Sequence, residues 1–153
     1  MFEEDFSNVS DILPAGWSRN NNRWSVDIAS NYTGGESPEL KFVDGRSDTG
    51  EFRVSTDYID ASQASNLQLK FKHFVNDYYG SNVSYTLSVQ IQREGEDTWQ
   101  TEWFIQPTSN IFDTVIVDLN AFSGKRFKIA WAFGGSTYYI NRWYIDDIVL
   151  EQI

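Results

Sequence analysis

The sequence has no cysteine, and its 153 residues include one methionine, three prolines and one histidine. Without cysteine the chain has no disulfide framework, no thiolate zinc site and no cysteine nucleophile. A chain of this length buries a proper core without such cross-links. We therefore expect residues 1–153 to form one domain that is held together by packing and hydrogen bonds.

Long apolar runs and positive charge are also scarce. No run approaches the roughly 20 apolar residues that span a bilayer, and the chain opens with Met1 and acidic residues rather than a basic signal-peptide segment. Twelve basic and 22 acidic residues give a formal net charge of −10. This charge argues against nucleic acid or an anionic membrane as a partner and against membrane insertion, and it favours cation binding.

Aromatic residues are abundant, with 11 Phe, 8 Tyr and 6 Trp, a composition that favours sheet and sugar contacts. From Ser65 onward apolar and polar residues alternate with the two-residue period of strands. Strands are predicted at 67–74, 83–92, 99–105, 115–119, 127–133 and 141–150, and less regular ones at 2–6, 24–28, 38–43 and 52–59. No segment shows sustained helical periodicity. The pattern predicts an all-β, antiparallel β-sandwich of jelly-roll type.

The two ends of the chain carry carboxylates inside apolar segments. Asp146 and Asp147 interrupt the final strand, and Glu3, Glu4 and Asp5 lie between Phe2 and Phe6. Because an ionised carboxylate in a dry, unpaired site costs many kcal/mol, such groups face water, meet cations or hold a metal. If the termini meet in the fold, the clustered carboxylates suit a hard cation such as Ca²⁺.

Alternatives remain for these acidic residues. On a strand, Asp146 and Asp147 point to opposite faces, so only one is a primary ligand unless a bulge turns the other. Either aspartate can instead cap a strand end or pair with Arg142 or Arg126. Glu36 and Glu39, after Gly34 and Gly35, are further candidate ligands or members of a solvated turn.

Several segments together resemble a known group of jelly-roll domains. They are Phe2-Glu3-Glu4-Asp5-Phe6, Leu13-Pro14-Ala15-Gly16-Trp17, Trp24, Gly34-Gly35-Glu36-Ser37-Pro38-Glu39-Leu40, 67–73, Thr98-Trp99 and 143–148. Their order and spacing resemble the MAM-like superfamily, which includes the cleaved-adhesin domains of bacterial surface proteases and is similar to carbohydrate-binding modules of galactose-binding-like type. The resemblance covers nearly the whole chain, although the missing cysteines set it apart from vertebrate MAM domains.

The resemblance implies a secreted or cell-surface bacterial module without catalytic activity, joined to other domains of the same polypeptide. It also implies structural Ca²⁺ near the paired termini. The ligands would be Glu4, with Glu3 as the alternative, and Asp146 or Asp147. A glycan or a cell-surface protein is the expected partner of such a module.

The sheet surface offers a second candidate site. If strands 67–74 and 83–92 pair, Lys70, Lys72, Ser84, Thr86, Ser88, Gln90 and Gln92 share one face, extended by Lys128, Ala130 and Ala132. Short hydroxyls and amides beside aromatic loops suit a sugar, and Tyr78, Tyr79, Tyr138 and Tyr139 lie in candidate rim loops. The alternative is an ordinary solvated face. The tryptophans, including Trp99, are expected mostly in the core.

Two other functions compete with a binding module. A polysaccharide lyase or glycosidase would work from a concave face, with His73, Tyr78, Gln90 and Lys70 as its candidate residues. However, His73 lies on the apolar register of its strand, which favours a packed and hydrogen-bonded role. The third reading is a structural spacer without a ligand.

Overall fold

The computed structural model describes residues 2–78 and 84–153. Among these residues the chain forms short and long strands and two 3₁₀ turns, Asn120–Phe122 and Thr137–Tyr139. The strands are β1 Phe2–Glu4, β2 Ser18–Arg19, β3 Trp24–Asp27, β4 Glu39–Val43, β5 Thr49–Ser55, β6 Ile59–Asp60, β7 Leu67–Asp77, β8 Thr86–Arg93, β9 Gln100–Ile105, β10 Ile111–Asp118, β11 Arg126–Ser136 and β12 Ile140–Gln152.

The strands build two antiparallel six-stranded sheets. Sheet A has the order β10-β7-β12-β4-β3, and β1 also pairs with β12; sheet B has the order β2-β5-β11-β8-β9, and β6 also pairs with β11. Neighbours far apart in sequence pair in both sheets, as a jelly roll requires. The predicted all-β, antiparallel jelly-roll sandwich is confirmed.

The inner faces of the two sheets enclose an aromatic core. Trp24, Trp131 and Trp143 are fully buried, and Phe42 of sheet A stacks on Phe133 of sheet B with ring centroids 4.9 Å apart. The indole N–H of Trp24 donates to the carbonyl of Phe52 at 3.0 Å, so this ring fills the core without leaving its polar atom unpaired. Most tryptophans are core residues, as the sequence predicts.

The condition for a shared polar face, that strands 67–74 and 83–92 pair, is not met. Strand β7 lies between β10 and β12 in sheet A, whereas β8 lies between β11 and β9 in sheet B. Lys70 and Lys72 therefore lie on the outer face of one sheet, and Thr86, Ser88 and Gln90 on the outer face of the other. Alternation shows which side chains of a strand share a face, but it does not specify the neighbouring strand.

Strand β9 departs from the predicted unbroken alternation. Val89 pairs with Trp103, but the next residue, Gln90, pairs with Thr101, so Glu102 is an extra residue in the ladder. This bulge turns Thr101 to the outer face while Trp103 stays against Phe71 in the core. Trp99, before the bulge, lies against the Arg53 guanidinium at 4.9 Å and is only half-buried, contrary to the core position predicted for it.

The predicted strand at 52–59 is two strands, β5 and β6, with a break between them. Thr56 lies at the break, where its hydroxyl oxygen accepts a hydrogen bond from the backbone of Ile129 at 3.1 Å.

Within residues 2–78 and 84–153, no helix has the length and apolar character that crossing a bilayer requires.

Candidate functional site

The acidic segments at the two ends of the chain meet in sheet A. Strand β1 pairs antiparallel with β12, with Phe2 opposite Leu150, Glu3 opposite Val149 and Glu4 opposite Ile148. Asp5 follows directly and lines a small pocket of about 340 Å³ together with Glu36 and Asp147. The expected meeting of the termini is therefore confirmed.

A bulge in β12 brings the two adjacent aspartates toward the same place. The pairing with β7 shifts between Asp146 and Val149, and Asp147 has a φ of 48°, in the left-handed region that Asp tolerates better than most residues. A side chain built on Gly35 would meet Oδ2 of Asp146 at 2.5 Å and Oδ2 of Asp147 at 3.2 Å. Both carboxylates thus approach Gly35. In a regular strand two adjacent side chains point to opposite faces, but the bulge allows them to meet here.

Asp146 is the most unusual group at this site. Its side chain is fully buried, and its Oδ1 accepts a 2.8 Å hydrogen bond from the backbone of Asp147. Among residues 2–78 and 84–153, its Oδ2 has no hydrogen-bond partner. Burial, together with the nearby carboxylates of Asp147, Glu39 and Asp5, raises the pKa of Asp146 to about 7, although the hydrogen bond from the backbone of Asp147 opposes this shift. A buried, unpartnered carboxylate oxygen is the kind of group that a bound cation satisfies.

The loop between β3 and β4 covers Asp146 and is held by Glu39. The buried Glu39 carboxylate accepts hydrogen bonds from the backbones of Tyr32 at 2.7 Å and Thr33 at 2.9 Å, and also from the Thr33 hydroxyl. Both of its oxygens are therefore already occupied in shaping the loop. Glu36 is exposed and lies in the same pocket as Asp5 and Asp147.

The remaining predicted ligands differ in position. Glu4 is half-buried, and its Oε1 accepts a 2.6 Å hydrogen bond from the backbone of Phe6; burial raises its pKa, and the Asp5 carboxylate adds to this effect. Glu3 is exposed. Lys72, rather than the expected Arg142 or Arg126, pairs with Asp147 at 2.8 Å, whereas Arg142 pairs with Asp44 and Arg126 with Glu94.

The acidic site is compatible with a hard cation. Within the described parts of the chain, 2–78 and 84–153, no group of three or more His, Cys, Asp or Glu side chains already has metal-binding geometry. The buried Oδ2 of Asp146 nevertheless lacks a partner among the described residues. The carboxylates of Asp147 and Asp5 lie near Asp146, and Glu36 lines the same pocket as those two; carboxylate oxygens are the donor type that Ca²⁺ prefers.

The outer face of sheet B carries a separate cleft of about 500 Å³. Its floor is formed by small residues: Ala132 of β11 pairs with Ser88 of β8, and Gly134 pairs with Thr86. The lining residues are Glu51, Thr86, Ser88, Gln90, Thr101, Phe104, Ala132 and Gly134. Thr86, Ser88 and Gln90, predicted as ligand-binding residues, thus lie together, and Ala132 extends their surface as predicted.

A closed hydrogen-bond network fixes the polar groups of this cleft. The Glu51 carboxylate accepts from Arg53 at 2.6 Å and from the Gln90 amide at 2.7 Å, and the Gln90 carbonyl oxygen accepts from Nε of Arg53 at 2.9 Å. The Gln90 amide also reaches the Ser88 hydroxyl at 3.3 Å. Each of the three side chains Glu51, Arg53 and Gln90 is hydrogen-bonded to the other two. Ligand binding would therefore cost little additional side-chain conformational entropy.

Phe104 gives the cleft an aromatic wall. It pairs with Ser88 across β8 and β9 and is 63% exposed. An exposed ring beside fixed hydrogen-bonding groups is suited to a ligand with one apolar face and several hydroxyls. The sequence pattern did not predict Phe104, Glu51, Arg53 or Thr101 as residues of this cleft. Phe104 was detectable as an aromatic residue at a polar position of its strand, whereas Thr101 reaches the cleft only through the bulge.

Other predicted ligand-binding residues lie elsewhere. Lys70 is on sheet A, where it pairs with Glu151 at 3.7 Å. Tyr78 and Tyr138 contact each other at the ends of β7 and β11, with ring centroids 5.7 Å apart, as the prediction of a shared rim requires. Tyr79 falls outside the described residues. A ligand role for these residues stays a prediction.

The set of residues proposed for an enzyme does not assemble. His73 is 1% exposed within the sandwich, where its Nδ1 accepts from the Trp143 indole at 3.2 Å and its Nε2 contacts Asp113. Lys70 and Gln90 lie on the outer faces of opposite sheets. The packed, hydrogen-bonded role predicted for His73 is confirmed.

Comparisons with known proteins identify similar structures but no similar sequences. No protein-family model matches the chain, and no curated protein matches it. The K1 cleaved adhesin domain of Lys-gingipain from Porphyromonas gingivalis W83 is 14% identical, with a TM-score of 0.71 over 99% of this chain and 98% of that domain.

Two carbohydrate-binding modules are also similar in structure. TmCBM61, solved in complex with β-1,4-galactotriose, is 14% identical, with a TM-score of 0.61 over 97% of this chain and 94% of that one. The CBM22-1 xylan-binding domain of Xyn10C from Paenibacillus barcinonensis is 13% identical, with a TM-score of 0.56 over 99% and 94%. The chain therefore has the jelly-roll β-sandwich fold of cleaved adhesin domains and carbohydrate-binding modules, the group that its sequence motifs resemble.

Proposed function

We propose that this protein is a non-catalytic, extracellular module that binds glycans in the cleft of sheet B. The observation that carries the proposal is the combination of a floor of small residues, a rigid Glu51–Arg53–Gln90 network and the exposed ring of Phe104. Sugars need this combination, because their hydroxyls require fixed hydrogen-bonding groups and their C–H faces pack on aromatic rings.

The similar structures support this choice of ligand class. TmCBM61 binds β-1,4-galactotriose and the CBM22-1 domain binds xylan, and both have the fold of this chain. The cleaved adhesin domains belong to a larger protein, Lys-gingipain, and we propose that this module likewise acts as an accessory domain of a secreted or cell-surface bacterial polypeptide.

Affinity electrophoresis with soluble polysaccharides tests the proposal. We expect at least one of xylan, β-1,4-galactan and hydroxyethylcellulose to retard the protein, with no release of new reducing ends. Phe104→Ala should weaken the retardation at least tenfold, about 1.4 kcal/mol. Ile12→Ala is the matched control, because it removes another exposed apolar side chain, 49% exposed, that does not line the cleft.

The alternatives give different results in the same experiment. New reducing or unsaturated ends would support the polysaccharide-degrading enzyme. No retardation and no products would support a spacer domain, and retardation that Phe104→Ala leaves unchanged would exclude the cleft as the site.

We propose further that Ca²⁺ binds at the acidic site and stabilises the domain. We propose Asp146 and Asp147 as ligands, together with Glu4 or, as the alternative, Glu3 from the strand that pairs with β12. Asp5 and Glu36 line a pocket with Asp147 and would add carboxylate oxygens. The cation would neutralise the buried charge of Asp146 and fasten the first strand and the β3–β4 loop to β12. The unpartnered Oδ2 of Asp146 supports this proposal.

Thermal unfolding in EDTA, in millimolar Ca²⁺ and in millimolar Mg²⁺ tests the calcium site. At a hundredfold excess over Kd, a ligand that binds only the folded state adds about 2.7 kcal/mol to the free energy of unfolding, which raises Tm by several degrees for a domain of this size. A shift of equal size with Mg²⁺, or no shift, would contradict a calcium site.

A further inference from the structure

Aromatic side chains form a second surface, on the outer face of sheet A. Phe112 of β10 pairs with Phe74 of β7, and Phe74 pairs with Tyr144 of β12, so three rings follow one row across adjacent strands. Tyr32, from the loop between β3 and β4, lies over this row. We call Tyr32, Phe74, Phe112 and Tyr144 the aromatic patch.

The rings of the aromatic patch contact one another and remain open to solvent. Tyr32 packs on Tyr144 with centroids 4.7 Å apart and on Phe74 at 5.9 Å, and Phe74 meets the edge of Phe112 at 6.4 Å. Tyr32 is 56% exposed and Phe112 is 62% exposed. Two exposed rings therefore flank the Phe74 ring between them.

The positions of the two exposed rings are fixed by their surroundings. The backbone N–H of Tyr32 donates to the buried carboxylate of Glu39 at 2.7 Å. Phe112 lies against Gly34, where an added Cβ would come within 3.1 Å of the ring. Because the rings are held before any ligand arrives, binding costs little side-chain entropy.

The basic side chains around the aromatic patch are already paired within the protein. Basic side chains on this face each pair with a carboxylate: Lys41 with Asp27 at 2.8 Å, Lys72 with Asp147 at 2.8 Å, Lys70 with Glu151 at 3.7 Å and Arg142 with Asp44. An anionic ligand would therefore have to break one of these pairs. A second copy of the chain is also disfavoured, since each copy carries a formal charge of −10.

We propose that the aromatic patch is a second saccharide site, for a neutral glycan, on the sheet opposite the cleft. An uncharged ligand with apolar C–H faces complements exposed rings on a surface whose basic side chains are already paired. Two sites on opposite faces would let one module contact two strands of a polysaccharide, which raises its avidity without new contacts at either site.

The experiment uses affinity electrophoresis of the intact protein with xylan, β-1,4-galactan and hydroxyethylcellulose, and with polygalacturonate as an anionic comparison. We expect Phe112→Ala and Tyr32→Ala each to weaken the retardation by at least one neutral polysaccharide threefold or more. Ile116→Ala is the matched control: it removes an apolar side chain on the same strand and face, 60% exposed, without removing a ring. It should change the affinity less than twofold, and thermal unfolding confirms that each variant is folded.

The two sites can succeed or fail separately. Loss of binding in Phe112→Ala but not in Phe104→Ala would support the aromatic patch and reject the cleft, and the reverse result would overturn the patch while leaving the cleft intact. Absence of retardation by all three neutral polysaccharides, or equal losses in Phe112→Ala and Ile116→Ala, would also overturn it. Self-association of the protein would overturn it as well, if sedimentation shows that it depends on concentration and that Phe112→Ala abolishes it. The aromatic patch would then bind a second copy of the chain.

Discussion

At the scale of single residues, the burial of Asp146 lowers the free energy of unfolding of the metal-free protein. A fully buried carboxylate with one unpartnered oxygen lies close to the carboxylates of Asp147, Glu39 and Asp5. Each of these features raises the free energy of the ionised form. If Ca²⁺ binds there as we propose, it would offset these effects, so the residue that weakens the metal-free protein would stabilise the calcium-bound protein.

Asp146→Asn should separate these two effects. An amide keeps the size of the side chain and removes its charge, so we expect a higher Tm in EDTA than that of the original protein, together with loss of the calcium-dependent rise. Thermal unfolding of both proteins in EDTA and in millimolar Ca²⁺ checks this. A lower Tm in EDTA, or a retained calcium response, would contradict the role assigned to Asp146.

His73 makes the stability sensitive to pH. Burial lowers the pKa of His73 below its ordinary 6.5, although the Asp113 carboxylate opposes this shift. Since the unfolded chain takes up a proton near pH 6.5 and the folded chain does so only at lower pH, the unfolded state binds more protons as the pH falls below about 6.5. The contribution of His73 to stability should therefore decrease from pH 6.5 downward, whereas the raised pKa of Asp146 contributes with the opposite sign, because the folded chain takes up that proton near pH 7 and the unfolded chain only at lower pH.

The measurement for His73 is the free energy of unfolding in urea between pH 5 and pH 8. Compared with the original protein, His73→Gln, whose amide cannot titrate and can still bond to both Trp143 and Asp113, should lose less stability or gain more when the pH is lowered from 6.5 to 5. Identical slopes would show that other groups cause the acid sensitivity.

At the scale of strands and loops, Gly35 is the residue on which the acidic site depends most directly. A methyl group there would come within 2.5 Å of Oδ2 of Asp146, so Gly35→Ala should displace the loop, destabilise the protein by about 1–3 kcal/mol and reduce the response to Ca²⁺. Gly50→Ala is the control, because its Cβ would meet the Phe52 ring at an ordinary 3.6 Å. Equal effects of both substitutions on the calcium response would contradict this account.

Strand positions could be predicted from the sequence, but strand partners could not. Alternation in 67–74 and 127–133 correctly identified the buried faces of β7 and β11, because the two-residue period follows from strand geometry. The separation of β7 and β8 into different sheets depends on long-range packing, which leaves no periodic signal in either strand. The bulges at Glu102 and Asp147 were equally hidden, since an extra residue becomes visible only against its partner strand.

At the scale of the whole molecule, the paired termini and the two outer faces have different tasks. The acidic site lies where β1, the β3–β4 loop and β12 meet, and a cation there would secure both ends of the chain to sheet A. The cleft of sheet B presents a fixed polar network beside Phe104. The sequence indicated the acidic residues and, for the cleft, Thr86, Ser88 and Gln90. Glu51 and Arg53 reach the cleft only because β5 pairs with β11.

Glycan binding in the cleft of sheet B is tested most directly by NMR, with backbone amide chemical shifts followed while the polysaccharide fragment that binds best is added. We expect the chemical shifts of the Ser88, Gln90, Thr101 and Phe104 amides to change saturably with glycan concentration, and we expect Phe104→Ala to abolish these changes. Saturable binding that leaves all four amides unperturbed would show that the cleft of sheet B is not the glycan site.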